Sequence, residues 1–208
     1  MCHRYHLNAQ PGEIAARFDV MLDEFIESLV STFYPLSLGP VIRLDDSGER
    51  ELTVMEWGLL PAWWKPSPKM KSRKSFQRKC FNARCETAYE KPTFRAAYRY
   101  RHCLVPVSRF DEKEAWFGFR ELPLFAFAGL WEHWEREGEV VESYTFLTTE
   151  PHPAVKAVGH PRMPVVLTSP EEQQRWLSPD FVDPGDLFLP LRPETAELCR
   201  LDESQISA

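Results

Sequence analysis

The sequence predicts an α+β protein folded as a single domain, with many antiparallel strands and a few flanking helices. Three observations carry that reading. A length of 208 residues suits one full domain with a substantial core and leaves little room for a second. Strand-like runs follow one another through the second half of the chain, from "HCLVPV" at residue 102 to "RMPVVLT" ending at residue 168. Helical spacing is confined to a few stretches. The 43% hydrophobic content, 27% charge and seven tryptophans describe a chain that packs a core.

The elements follow in order. Ile14, Phe18, Met21, Leu22, Phe25, Ile26 and Leu29 recur at helical spacing, which predicts one amphipathic helix over residues 12–31. Pro11 stands near its start, where a missing N–H does no harm. "VIRLDDSGERELTVMEWGLLP" reads as two strands around an Asp-Ser-Gly turn. Residues 65–79 read as a mobile basic loop, and residues 84–98 as helical turns interrupted at Pro92. "AWFGF", "LFAFAGLWEHW" and "ESYTFLTT" continue the strands. Ser169-Pro170-Glu171-Glu172 forms a capping box that starts a helix through Trp176. Past Ser178 the chain is proline-rich and acidic, with a short strand expected near Leu198. Neither an internal repeat nor a clear linker divides residues 1–208.

Composition narrows the function. No run of about eighteen apolar residues and no basic-plus-apolar leader is present, so neither a membrane span nor a signal peptide is expected. Five cysteines, an odd number without framework spacing, fit a reducing cytoplasmic compartment. The net charge of -6 argues against nucleic acid only while it is averaged. Residues 65–101 hold twelve Lys/Arg against two acids, a local balance of +10, whereas residues 171–208 hold nine acids against three arginines. Trp63, Trp64, Phe76, Phe81, Phe94, Tyr98 and Tyr100 lie in or beside the basic segment. Cations for phosphates and flat rings for exposed bases are the chemistry of single-strand binding, with a solvated basic loop as the plain alternative.

The polar candidates for chemistry are Cys2, Asn82, Arg84, Glu86, Glu112 and His160. Cys2 directly follows the initiator methionine. Methionine aminopeptidase generally accepts a small second residue, so the mature chain is expected to begin at Cys2, with an α-amine and a thiol on adjacent carbons. Each candidate also has a structural reading. Cys2 can belong to a frayed terminus, Asn82 can cap a helix, Glu112 can be a solvated turn acid, and His160 can satisfy a loop backbone.

Seven blocks occur in order: "MCHRY", "WGLLPAWW", "FNARCE", "HCLVPVSRFDEK", "FAFAGLWE", "TFLTTEPH" and "GHPRMPVVL". Together they resemble the SOS-response-associated peptidase (SRAP) family, whose members process abasic sites in single-stranded DNA. The resemblance runs from Cys2 to about Leu177. It departs from the family at His3, where glycine is usual, and at Arg109-Phe110-Asp111-Glu112-Lys113, which stands for Gly-Phe-Tyr-Glu-Trp. Cys103-Leu104-Val105-Pro106 holds the register, so Glu112 falls on the family's catalytic acid. On a strand, Asp111 and Lys113 are expected to face away from it.

The resemblance implies a barrel-like β core and a covalent chemistry for Cys2. A ring-opened abasic sugar presents an aldehyde. An N-terminal cysteine can condense with it through the amine and close through the thiol to a five-membered thiazolidine. By the same resemblance Glu112 moves protons, His160 assists, and Asn82 positions Cys2 or the sugar. Arg4, Arg84 and Arg162 clamp phosphates, while Trp63 and Trp64 stack on bases unless one is core. The implied partner is single-stranded DNA carrying abasic sites; a monomer without cofactor, metal or membrane attachment is expected.

Two other readings stand beside it. A cysteine hydrolase would use the Cys2 thiol with Glu112 or His160 as base, and the same site could release Met1 by self-processing. A passive or zinc-dependent binding module would draw on Cys80, Cys85, His102 and Cys103, or on Cys2, His3 and His6, at spacings that fit no strong zinc pattern.

Overall fold

Thirteen strands and six α-helices occur among residues 2–21, 31–181, 185–190 and 197–202, which this computed structural model describes. In chain order they are β1 (Tyr5–Leu7), α1 (Pro11–Phe18), β2 (Ser31–Phe33), β3 (Leu38–Leu44), β4 (Arg50–Trp57), α2 (Arg73–Gln77), β5 (Asn82–Arg84), α3 (Cys85–Ala88), α4 (Arg95–Tyr100), β6 (His102–Val107), β7 (Arg109–Glu112), β8 (Ala115–Phe119), β9 (Phe125–Arg136), β10 (Glu139–Thr149), α5 (Pro153–Ala157), β11 (Met163–Pro164), β12 (Val166–Leu167), α6 (Pro170–Leu177) and β13 (Leu198–Arg200).

Strands β4, β3, β6, β9 and β10 pair antiparallel in that order. β10 then meets β4 in parallel, at Ser143↔Glu56 and Tyr144↔Trp57, and closes a five-stranded barrel. The parallel pair has a simple cause. Strand directions cannot alternate all the way round a ring with an odd number of members, so one neighbouring pair must run the same way. β5 also joins β10 in parallel. A second sheet, ordered β13-β8-β7-β1-β2, is antiparallel throughout.

Both sheets share one core. Tyr5 of the second sheet stacks on Phe33 at 5.0 Å and meets Trp57 of the barrel edge-on at 5.3 Å. Phe110 packs against Phe127 at 5.7 Å, and Phe127 against Phe146 at 4.8 Å. Helix α6 begins at the expected capping box, in which the Glu172 amide donates to Ser169 Oγ and the Ser169 amide to Glu172 Oε2. It plants the buried Trp176 on the barrel, where Nε1 donates to the carbonyls of Cys103 and Gly129 at 3.0 and 3.1 Å.

Three expectations change. The helix expected over residues 12–31 ends at Phe18, because Asp19 takes the left-handed conformation (φ 51°) and Val20 turns into the core. Met21 is 88% exposed and bridges Glu51, and Ser31 already belongs to a strand; Leu22, Phe25, Ile26 and Leu29 fall outside the described residues. The basic stretch 65–79 is not a loop throughout. Ser67 bridges Met70, and α2 is tied down by Arg73, which donates to Glu56, Gln77 and Glu139. Gln77 is buried, with Nε2 donating to the Gly58 carbonyl at 2.9 Å. Gly58 (φ 132°) permits that approach, since a Cβ there would stand 2.9 Å from the Gln77 carbonyl oxygen. Finally, the pairing includes the parallel β4–β10 and β5–β10 contacts, which the alternation of apolar residues did not distinguish.

Gly129 lies where β6 and β9 approach each other closely in the barrel wall. A Cβ there would be 2.7 Å from Cys103 Sγ, 3.1 Å from the Cys103 carbonyl oxygen and 3.1 Å from Val105 Cγ2. Gly129→Ala is therefore expected to destabilise the fold by about 1–3 kcal/mol through overpacking. A lowered denaturant midpoint with unchanged slope would show it, and an unchanged midpoint would mean that the β6–β9 wall gives way without cost.

Candidate active site

Backbone pairing brings the start of the chain to the end of β7. β1 runs antiparallel to β7 (Tyr5↔Phe110, His6↔Arg109), and the Asp111 amide donates to the Arg4 carbonyl at 3.1 Å. Residues 2–4 therefore lie alongside Asp111 and Glu112. Cys2 is 0% exposed, and its thiol donates to the Arg4 carbonyl at 3.3 Å. Asn82 reaches it from the barrel side. β5 is registered on β10 at Phe146↔Asn82, and Asn82 Nδ2 donates to the Cys2 carbonyl at 2.7 Å. Burial pushes the Cys2 thiol well above its ordinary pKa, and the Glu112 charge would push it further.

Glu112 is fully buried as the last residue of β7. Its Oε2 lies 3.1 Å from His160 Nδ1, which is itself 2.6 Å from the Arg162 carbonyl oxygen. A carbonyl can only accept, so the short contact places a proton on Nδ1 and leaves Nε2 with its lone pair. Burial raises Glu112 to about 8, and the neighbouring Asp111 charge pushes the same way. His160 is lowered from its ordinary value, first by burial, with the charges of Lys113 and His3 acting in the same direction. At neutral pH the site therefore holds a protonated carboxylic acid, a neutral imidazole and a neutral thiol.

The expected cationic residues are differently placed. Arg4 donates to Asp111 Oδ2 at 2.9 Å and lies 5.0 Å above the Trp116 ring. Arg162 makes two 2.8 Å bonds to the Glu86 carboxylate and a third at 3.1 Å to Thr148 Oγ1. Arg84 is exposed at the end of β5, registered beside Thr148. Trp63 is 55% exposed, with Nε1 donating to the Pro92 carbonyl at 3.0 Å. Trp64 is 5% exposed in a small second core with Trp134 at 6.0 Å. It is the core member of the pair, and only Trp63 offers a ring face to a ligand.

Asp111, expected only to face away from Glu112, is buried and paired with Arg4. Lys113 also stays near the site, with Nζ 3.2 Å from where a Cβ on Gly159 would stand. Glu86 and Thr148, which hold Arg162, carry no local sequence signal for that role. Cys80, Cys85 and Cys103 are buried thiols, and no group of three His, Cys, Asp or Glu among the described residues is placed to hold a metal.

The cost of burying Glu112 is testable. The unfolded carboxyl loses its proton near its ordinary 4.5, whereas the folded one keeps it to about 8. The folded state thus binds the extra proton between those values, and stability falls as pH rises through that window. Glu112→Gln keeps the side-chain shape and does not titrate. Its stability relative to the parent chain is expected to rise between pH 5 and pH 8, by roughly 3 kcal/mol at the upper end. Paired melting curves at the two pH values measure this, and an equal difference at both would contradict it.

The family model described as SOS response associated peptidase (SRAP) matches residues 1–204. The chain is 31% identical over 212 aligned residues to the abasic site processing protein YoqW of Bacillus subtilis, covering 95% of this chain and 89% of that protein. It is 32% identical over 210 aligned residues to the abasic site processing protein YoaM of the same organism, covering 95% and 88%. A crystal structure of a Bacteroides thetaiotaomicron protein shares the fold, with a TM-score of 0.81 at 22% identity over 100% of this chain and 95% of that one. The chain belongs to the SOS response associated peptidase (SRAP) family.

Proposed function

We propose that this protein processes abasic sites in single-stranded DNA by linking Cys2 covalently to the lesion sugar. The observation that carries the reading is the buried pair Glu112 and His160, an acid protonated at neutral pH against a neutral imidazole, beside a thiol held in its neutral form. The names and family of the relatives support it.

The chemistry requires Met1 to be removed, so that Cys2 carries an α-amine with a reference pKa near ~7.7–8.0, substantially neutral at cellular pH. The amine attacks C1′ of the ring-opened sugar and forms a carbinolamine. Glu112 gives its proton to the departing hydroxyl, which leaves as water, and an iminium remains. The Cys2 thiol then adds to the same carbon and its proton returns to the Glu112 carboxylate. Aminothiol plus aldehyde becomes thiazolidine plus water, and the acid is regenerated. His160 Nε2 takes the proton of the sugar's anomeric hydroxyl during ring opening and returns it to the ring oxygen, then takes a proton from the attacking amine and returns it to the carbonyl oxygen. Asn82 fixes Cys2 through its carbonyl. Arg84 and Trp63 offer a phosphate and a base their first contacts.

The thiol environment disfavours the peptidase reading. A cysteine protease works through a thiolate, whereas burial keeps this thiol protonated. An amine that acts first needs no thiolate.

An oligonucleotide carrying one abasic site is expected to give a heat-stable adduct on a denaturing gel, with undamaged DNA giving none. Cys2→Ala should abolish it. An N-terminal extension shown by intact mass to be uncleaved should abolish it too, because the amine becomes an amide. Full-yield adduct from the extended chain would transfer the chemistry to the thiol and sink the thiazolidine. The adduct rate should also decline above pH about 8 as Glu112 loses its proton, and Glu112→Gln should remove that decline along with most of the rate.

A further inference from the structure

Lys113 stands where the family pattern has tryptophan, and the structure places it at the rim of the site. It is the first residue of the two-residue turn that joins β7 to β8, closed by the Glu112↔Ala115 pair. Lys113 and Glu114 both have positive φ, 53° and 64°, the geometry of a type I′ hairpin turn. This turn carries the Lys113 side chain across to the loop that holds His160. Gly159 (φ 73°), with no side chain, leaves the space in which the ammonium sits. The neighbour on one side is the buried Glu112, and the residue after Gly159 is His160. Lys113 itself is exposed.

The cations around this site divide into two kinds. Arg4 is neutralised by Asp111 and Arg162 by Glu86, so a phosphate approaching either must compete with a carboxylate already in place. Among the described residues no carboxylate forms an ion pair with Lys113. Its ammonium is near enough to disfavour protonation of His160, as is His3, the other departure from the family pattern. Two positions that the family fills with glycine and tryptophan thus carry cationic or protonatable groups facing one imidazole. A compact, strongly hydrated ammonium on a long stem suits a phosphate oxygen at a rim better than a buried pair.

We propose that Lys113 is a phosphate-binding residue, its ammonium contacting a phosphodiester of the lesion strand beside the Cys2–Glu112–His160 site. The identity of the strand rests on the function proposed above. A phosphate contact displaces condensed counterions, so its removal is visible in the salt dependence of binding and not only in affinity.

The test compares the parent chain, Lys113→Gln and Lys113→Arg. Each is measured for equilibrium binding to an undamaged single-stranded oligonucleotide across a salt series, and for adduct formation with an abasic one. Lys113→Gln should reduce the slope of log affinity against log salt by about 0.7 and weaken binding roughly fivefold near 0.1 M salt. Lys113→Arg should restore both. Matching thermal midpoints establish that the turn still folds. A parent-like slope in Lys113→Gln overturns the proposal. So does a shifted pH profile of adduct formation without any change in slope, which would confine Lys113 to its field at His160. Failure of the parent chain to form an adduct would overturn the proposed function instead, and the slopes on undamaged DNA would still decide the case of Lys113.

Discussion

A chain terminus frays unless hydrogen bonds and burial outweigh the freedom it loses, and every feature of this site depends on the terminus not fraying. Three anchors act on the first five residues. Asn82 holds the Cys2 carbonyl, the Asp111 amide holds the Arg4 carbonyl, and the Arg4 side chain pairs with the buried Asp111 carboxylate. Tyr5 then disappears into the shared core, its hydroxyl 2.6 Å from that of Tyr144. The anchors come from β5, β7 and β10, so the position of Cys2 is set by both sheets at once. A nucleophile on a loose terminus would meet an aldehyde rarely and in many orientations. One fixed at both its carbonyl and its thiol has already lost that freedom before the substrate arrives.

The scaffold that supplies these anchors was partly legible. Local chemistry that is complete within a few residues reads directly: the Ser169–Glu172 capping box, the Asp45–Gly48 turn between β3 and β4, and the break at Pro92 between α3 and α4. Chemistry decided by distant partners does not. Helical periodicity continued past Phe18, yet Val20 gains more from the core than from another helical turn, and the left-handed Asp19 ends α1. The barrel-like core implied by the family resemblance is present, but the strand pattern alone does not show how the barrel closes, for a similar reason. Alternation along β4 and β10 reports which face is buried, but only the odd membership of the ring dictates that they meet in parallel.

For the site, the residue types were readable and their partners were not. Cys2, Asn82, Glu112 and His160 are 30 to 158 positions apart in the chain, so no spacing rule joins them. They became candidates singly, and as a set only through the ordered blocks shared with the family. The arginines show the limit most plainly. Arg4 and Arg162 read as phosphate clamps from sequence, and each faces a carboxylate in the structure, Asp111 and Glu86. Trp63 and Trp64 were indistinguishable as neighbours in a row. The Trp134 ring across the barrel wall makes one of them core.

Neighbouring carboxylates on β7 show how the fold separates binding from chemistry. Asp111 and Glu112 are both buried, yet Asp111 faces a guanidinium at 2.9 Å while Glu112 faces a neutral imidazole at 3.1 Å. An ion pair compensates the burial of a carboxylate, whereas a neutral partner leaves desolvation in control, and Glu112 retains its proton to about 8. The Asp111 charge strengthens that retention because a second anion beside the first is disfavoured. If Arg4 were instead available to Glu112, the acid would ionise at neutral pH and have no proton to give. Neutralising Arg4 by Asp111 therefore serves the acid as much as the terminus, and it withdraws one cation from DNA. The site keeps its floor nearly free of net charge and leaves attraction for a polyanion to its rim, where Arg84 and Lys113 are exposed. A phosphate drawn to that rim brings the sugar towards the floor without its own charge being buried, which is the arrangement a neutral aldehyde chemistry on a charged strand requires.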